Sequence, residues 1–169
     1  QEFRDKYEAI TATGARMDFI GHLQTNKIKY VAGRAGLIHS LDSVRLASEI
    51  DERCKKLGVT QDVLVEINIG DEESKTGISK ERISEFLDEI STFSSIKVRG
   101  MMTMAPKCEN NHEFRKYFKE SYAIFLDFFA KKSHNIREAV LSMGMSDSYR
   151  VAIEEGSTLV RVGRRLFIK

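Results

Sequence analysis

One pattern in this 169-residue chain narrows its possible folds more than any other. Six short apolar runs, at 17–21, 37–41, 63–69, 98–104, 139–143 and 159–162, alternate with stretches of helical periodicity. They recur about every 20 to 40 residues, the length of a strand, a crossover helix and two loops. Between them, Val44, Leu46, Ala47 and Ile50 share one helical face, and Ile83, Phe86, Leu87 and Ile90 share another. Asp42 or Ser43 is placed to cap the first of these helices, Gly58 to end it, and Ser79 to cap the second. A longer helix opens at Asn110 or Asn111 and is expected to reach about Lys132. Phe114, Tyr117, Phe118, Tyr122, Phe125, Leu126 and Phe129 line one side of it, which reads as packing rather than as a ligand box. Repeated βαβ units build a parallel sheet with right-handed crossovers. Two architectures satisfy this, a doubly wound open sheet and most of a (β/α)8 barrel. No Gly-x-Gly-x-x-Gly follows the first run and no Walker A motif occurs, which weakens the nucleotide-fold reading. Six strands are two short of a barrel, and Gln1–Ile10 reads as the tail of a helix. The expectation is therefore one partial domain, 1–169, that begins inside a larger unit.

Composition removes several function classes. A net charge of +2 leaves no basic footprint for nucleic acid. No apolar run is long enough to span a membrane, and the charged start at Gln1–Glu8 is not a signal peptide. Cys54 and Cys108 have neither metal-ligand nor redox spacing, so a reducing cytoplasm is expected.

Chemistry concentrates near the end of the chain. The run at 139–143 leads into Gly144-Met145-Ser146 and then a helix over 146–155, with Ser146 or Asp147 as its cap. The run at 159–162 ends in Gly163 and Arg164. In a parallel sheet both turns lie at strand C-termini on one side, where backbone N–H groups collect and an anion such as phosphate binds. Arg161 is the anomaly, a cation between Val160 and Val162 in a strand. It shares a face with Gly163, so alternation points it at the same place, where burial demands a partner.

The other polar clusters read more plainly. His22, Gln24 and Asn26 either face a site or form a solvated helix start with Lys27. The loop 68–77 lacks the alternation of a calcium loop, and Lys75, exposed within it, keeps its proton and is a poor nucleophile. Met101, Met102 and Met104 are expected to fill a barrel interior. His22 and His39 lie at or in strands, His112 and His134 flank a helix, and no pair has metal-ligand spacing.

Six segments carry a resemblance. They are Phe-Ile-Gly-His-Leu-Gln-Thr-Asn-Lys at 19–27, His-Ser-Leu-Asp-Ser at 39–43, Val-Glu-Ile-Asn-Ile-Gly-Asp-Glu-Glu-Ser-Lys-Thr-Gly at 65–77, Arg-Gly-Met-Met-Thr-Met at 99–104, Leu-Ser-Met-Gly-Met-Ser-Asp at 141–147 and Val-Arg-Val-Gly at 160–163. In this order they resemble the YggS/PROSC family of pyridoxal 5′-phosphate (PLP) homeostasis proteins, themselves similar to the barrel domain of alanine racemase. The resemblance implies an α/β fold, a (β/α)8 TIM-type barrel whose first two strands are absent from this chain, with PLP at its C-terminal mouth. It implies that Ser142, Met145 and Ser146 hold the phosphate from one side and Gly163 and Arg164 from the other. Arg161 would approach the pyridine nitrogen, and an arginine there leaves that nitrogen unprotonated and the ring a weak electron sink. This favours a carrier that delivers PLP to apo-enzymes, as a monomer or weak dimer, over an amino-acid racemase or a phosphate-binding barrel without PLP. The family's Schiff-base lysine sits in a Val-Ser-Lys type segment, which this chain lacks; it is expected upstream, and no catalytic lysine is assigned. Met17-Asp18 stands where the family has Trp-His, and Arg164-Arg165 where small residues are common.

Overall fold

Strand order decides between the two architectures. In the computed structural model, which describes residues 1–72, 75–130 and 139–167, five strands form one sheet. They are β1 (Ile38–Leu41), β2 (Gln61–Ile67), β3 (Ile96–Thr103), β4 (Val140–Met145) and β5 (Leu159–Arg161), in the order β1-β2-β3-β4-β5, with every neighbouring pair parallel. A doubly wound sheet reverses its order at a switch point. This one never reverses, so each crossover adds the next strand on the same side, as in an arc of a (β/α) barrel.

The helices are α1 (Glu2–Thr11), α2 (Ile28–Val31), α3 (Val44–Leu57), α4 (Ile83–Ile90), α5 (Asn111–Phe125), α6 (Tyr149–Glu154) and α7 (Arg164–Phe167). Apolar residues of α1 to α6 join one face of the sheet in a single core that includes Phe3, Val31, Ile50, Phe86, Phe118 and Val151. Fully burying one such side chain contributes about 1.5–3 kcal/mol. The other face carries a small separate cluster, Leu37, Leu64 and Met102 with Val140 against it. That concave face is the barrel interior. No helix among the described residues is long and apolar enough to cross a membrane.

Local chemistry explains most boundaries. Ser43, not Asp42, caps α3, its hydroxyl accepting the Leu46 N–H at 3.3 Å. Asn110 caps α5 by accepting the Glu113 N–H at 3.1 Å, and Glu113 answers by accepting the Glu109 N–H at 3.0 Å. Beyond α5 the chain continues as a wider π-helical turn, Leu126–Ala130; the rest of the expected helix, 131–132, lies outside the described residues, as does His134. Of its aromatic stripe, Phe118, Phe125 and Phe129 are buried, but Tyr122 is exposed.

Three expectations need correction. The strand expected at 17–21 reduces to one bridging residue, Phe19, opposite Ile38. Asp18 interrupts that apolar run and pairs with Arg16 at 2.7 Å. The ladder nevertheless extends past it, with Phe19 N–H donating to Leu37 O and His39 N–H to Phe19 O, both at 2.8 Å. The methionines do not share one interior. Pairing passes from Val63↔Val98 to Leu64↔Gly100, so Arg99 is an extra, bulged residue. The side chains beyond it change face, which sends Met101 into the helix-facing core and Met102 into the interior, while Met104 is exposed at the mouth. Finally, α6 starts at Tyr149 with Ser148 at its cap position, later than Ser146 or Asp147 predicts.

Candidate functional site

Strands β4 and β5 are adjacent and parallel, so the turns that follow them open at the same end of the sheet. The first turn is tightly built. Gly144 has φ 89°, and a Cβ there would sit 2.4 Å from the Cβ of Ala152, so α6 packs directly on the turn. Within it Met145 N–H donates to Ser148 Oγ at 3.2 Å, and Ser148 N–H to Met145 O at 2.9 Å. These two bonds close a turn over 145–148, so the helix begins only after it, at Tyr149. Met145 itself is exposed. Ser146 lies between the two turns, its hydroxyl accepting the Arg165 N–H at 3.4 Å.

The second turn is open. Around Gly163 a Cβ would meet nothing within 4 Å. Arg164 is exposed and pairs with Asp147 across the gap. Arg165 reaches the Ser146 carbonyl, and its guanidinium lies 5.8 Å from the centre of the Tyr149 ring. The helices α6 and α7 are only six and four residues long, so side chains and turn amides rather than helix dipoles dominate here.

Below the turns lies the inner face. Arg161 points inward, as alternation predicts. Its Nη1 donates to Ser142 Oγ at 2.7 Å and its Nη2 to Thr103 O at 3.0 Å. Both partners are neutral, and among the described residues no carboxylate stands within ion-pair distance. Burial pushes the Arg161 guanidinium down to about 10, with Glu66 pulling the other way. It therefore remains a cation at neutral pH, partly desolvated, with Glu66 acting on it through space but no carboxylate paired to it. Ser142 is completely buried, its hydroxyl engaged by Arg161 and, at 3.1 Å, by Nδ1 of His39.

Of the six residues expected to meet a cofactor, Met145, Ser146, Gly163 and Arg164 stand at the rim, whereas Ser142 and Arg161 stand beneath it. Sequence reasoning missed three others. Glu66, buried on β2, accepts from Thr76 Oγ1 at 2.8 Å; burial pushes its carboxyl up, against that hydrogen bond. A charge between Val65 and Ile67 is the same signal that singled out Arg161. Thr103 contributes only its backbone carbonyl, and His39 reaches its partner across 103 positions, so neither role has a sequence pattern.

The remaining candidates lie elsewhere or serve other ends. His22 pairs with Asp42 at 3.2 Å, while Gln24, Asn26 and Lys27 are solvated. Lys75 binds Glu72 at 2.7 Å in a loop organised by Asn68, whose Nδ2 donates to Glu72 O; Glu73 and Ser74 lie outside the described residues. No group of acids, histidines or cysteines among the described residues could hold a metal ion. A cleft of about 500 Å³ opens between α4 and the start of β3 against Leu87, Phe93, Val98, Phe128 and Phe129, and shares no residue with this site.

Comparison with known proteins follows the same lines. The family described as alanine racemase, N-terminal domain, matches residues 7–168. A pyridoxal phosphate homeostasis protein of Aquifex aeolicus is 44% identical over 167 residues, covering 99% of this chain and 72% of that protein. The structure of PipY from Synechococcus elongatus without PLP superposes with a TM-score of 0.89 at 27% identity, covering 99% of this chain and 78% of that one. The same protein with PLP bound gives 0.82 at 25% identity over the same shares.

Proposed function

This chain belongs to the pyridoxal phosphate homeostasis proteins of the alanine racemase N-terminal domain family, and from that premise we propose that it binds PLP at the mouth formed by the β4 and β5 turns and acts in PLP homeostasis. The observation that carries the reading is Arg161, a half-buried cation beneath the mouth whose hydrogen-bond partners are both neutral. Such a group gains most from an acceptor that does not compete for its proton. A pyridine nitrogen is one, and the open space around Gly163 leaves room for a phosphate beside Ser146 and Arg164. The residues present therefore fit the cofactor.

In this reading Ser146, Arg164 and the turn amide at Gly163 hold the phosphate, Met145, whose N–H is spent on Ser148 Oγ, shapes the turn beside it, and Ser142 steadies Arg161. When bound, PLP supplies an aldehyde that condenses with amines and a ring that can accept electron density. Arg161 would donate a hydrogen bond to the ring nitrogen and keep its own proton, which would limit that acceptance. The site is thus suited to holding PLP for transfer to apo-enzymes more than to carbanion chemistry. Residues 1–169 act as one domain, and the free thiols Cys54 and Cys108 suit a reducing cytoplasm.

Equilibrium dialysis against PLP, paired with an alanine racemisation assay, tests this. The expected result is saturable one-to-one binding with no interconversion of enantiomers at enzymic rates. Absence of saturable binding contradicts the reading, and fast interconversion replaces the carrier with a racemase.

A further inference from the structure

Beneath the candidate site the side chains of three strands form a continuous chain of hydrogen bonds. Arg161 on β5 donates to Ser142 on β4, and Ser142 meets Nδ1 of His39 on β1. A serine hydroxyl has one proton and two lone pairs. Arg161 occupies one lone pair at 2.7 Å. The proton is then free to be donated to His39 Nδ1, which makes His39 the acceptor and puts its own proton on Nε2. His39 is buried to 1% exposure, and Nε2 has no hydrogen-bond partner. It lies 3.9 Å from Asp18 Oδ2, too far for a hydrogen bond but close enough for a carboxylate to favour the tautomer that carries N–H on that side. Burial pushes the Asp18 carboxyl up, yet His39 and Arg16 together hold it below its ordinary value, so Asp18 is ionised at neutral pH.

We propose that His39 is a positioning residue for Arg161: held as the Nε2–H tautomer beside Asp18, it accepts the Ser142 hydroxyl proton and so leaves Ser142 free to anchor the guanidinium. If the imidazole instead donated from Nδ1, both neighbours would donate to Ser142 and the hydroxyl proton would have to find another acceptor in a buried layer. The anchoring matters because Arg161 has two neutral partners, Ser142 and the Thr103 carbonyl, and loss of one leaves the guanidinium free to swing about the other.

The test has a variant-free arm and a variant arm. Long-range 1H–15N NMR of the chain without PLP reads the tautomer directly. The expected spectrum shows His39 Nδ1 unprotonated and Nε2 protonated, with Ser142→Ala converting it to a mixture of tautomers. A proton on Nδ1 in the unsubstituted chain overturns the proposal whether or not PLP binds. The second arm rests on the PLP reading and compares His39→Asn with His39→Leu. The two are similar in size, but asparagine places an amide oxygen near the Nδ1 position and leucine places none. The expected PLP dissociation constant stays within about twofold for the asparagine variant and rises about tenfold for the leucine variant. The bound-PLP absorption spectrum of His39→Leu should match that of Ser142→Ala. Equal behaviour of the two variants assigns His39 to packing and overturns its positioning role.

Discussion

The two turns that frame the candidate site look alike as sequence, each a glycine after an apolar run, yet they are built differently. In the turn after β4, Gly144 has a positive φ and no room for a Cβ, because Ala152 closes over it. In the turn after β5, a Cβ on Gly163 would meet nothing within 4 Å. Two arginines repeat the contrast. Arg161 is half-buried and bonded to neutral groups, while Arg164 is exposed and paired with a carboxylate. The first member of each pair holds structure in place at a cost in desolvation or backbone freedom. The second is free to respond to a ligand. A site that takes up and releases a cofactor needs both kinds.

The sharpest way to break this contrast is at the glycines. Gly144→Ala combines a strained φ with a clash against Ala152 and should destabilise the chain by about 3 kcal/mol in chemical denaturation. Gly163→Ala should change stability by less than about 0.5 kcal/mol. Comparable losses at the two positions would show that the second turn is also packed shut. The arginines come next. Arg161→Gln should weaken PLP binding about 30-fold, as expected for loss of a charged hydrogen bond, and Arg164→Gln about threefold. A reversal of that order in a fluorescence titration would move the main contact from the inner layer to the rim.

Glu66 offers a pH test of the inner layer. Burial sets its folded pKa above the ordinary 4.5, helped by Asp42 and opposed by Thr76, His22 and Arg161. The protonated carboxyl therefore stabilises the fold fully below that ordinary value, and the contribution is lost as pH rises through the raised one. Glu66→Gln, neutral throughout, should gain stability relative to the unsubstituted chain as pH climbs from below 4.5 to neutrality. Parallel curves would mean that Glu66 is solvated. The smallest effect belongs to the rim, where Asp147→Asn should leave stability within about 0.5 kcal/mol and tighten PLP binding about twofold at low salt only.

Much of this was legible in the sequence because period and alternation are local. The parallel strands, the α3 and α5 caps and the inward aim of Arg161 all follow from neighbours a few positions apart. What escaped depends on distant or backbone events. The bulge at Arg99 reverses the faces of Met101 and Met102, and no composition rule places a bulge there. Helix α6 starts after Ser148 rather than at Ser146 because residues 145–148 close a turn of their own. His39 meets Ser142 only because three crossovers bring β1 and β4 around a common interior. Glu66 could have been read and was not, since a charge inside an apolar strand marks it as surely as it marks Arg161.

The central claim is that a half-buried Arg161 and an open Gly163 turn hold one cofactor between them. Two-dimensional NMR of the chain during a PLP titration tests it most directly, by following the Arg161 side-chain Nε–H and the Gly163 backbone amide. Both signals are expected to shift together and saturate with one dissociation constant. Saturable binding that leaves both unmoved, or moves Gly163 while Arg161 stays fixed, would contradict the account.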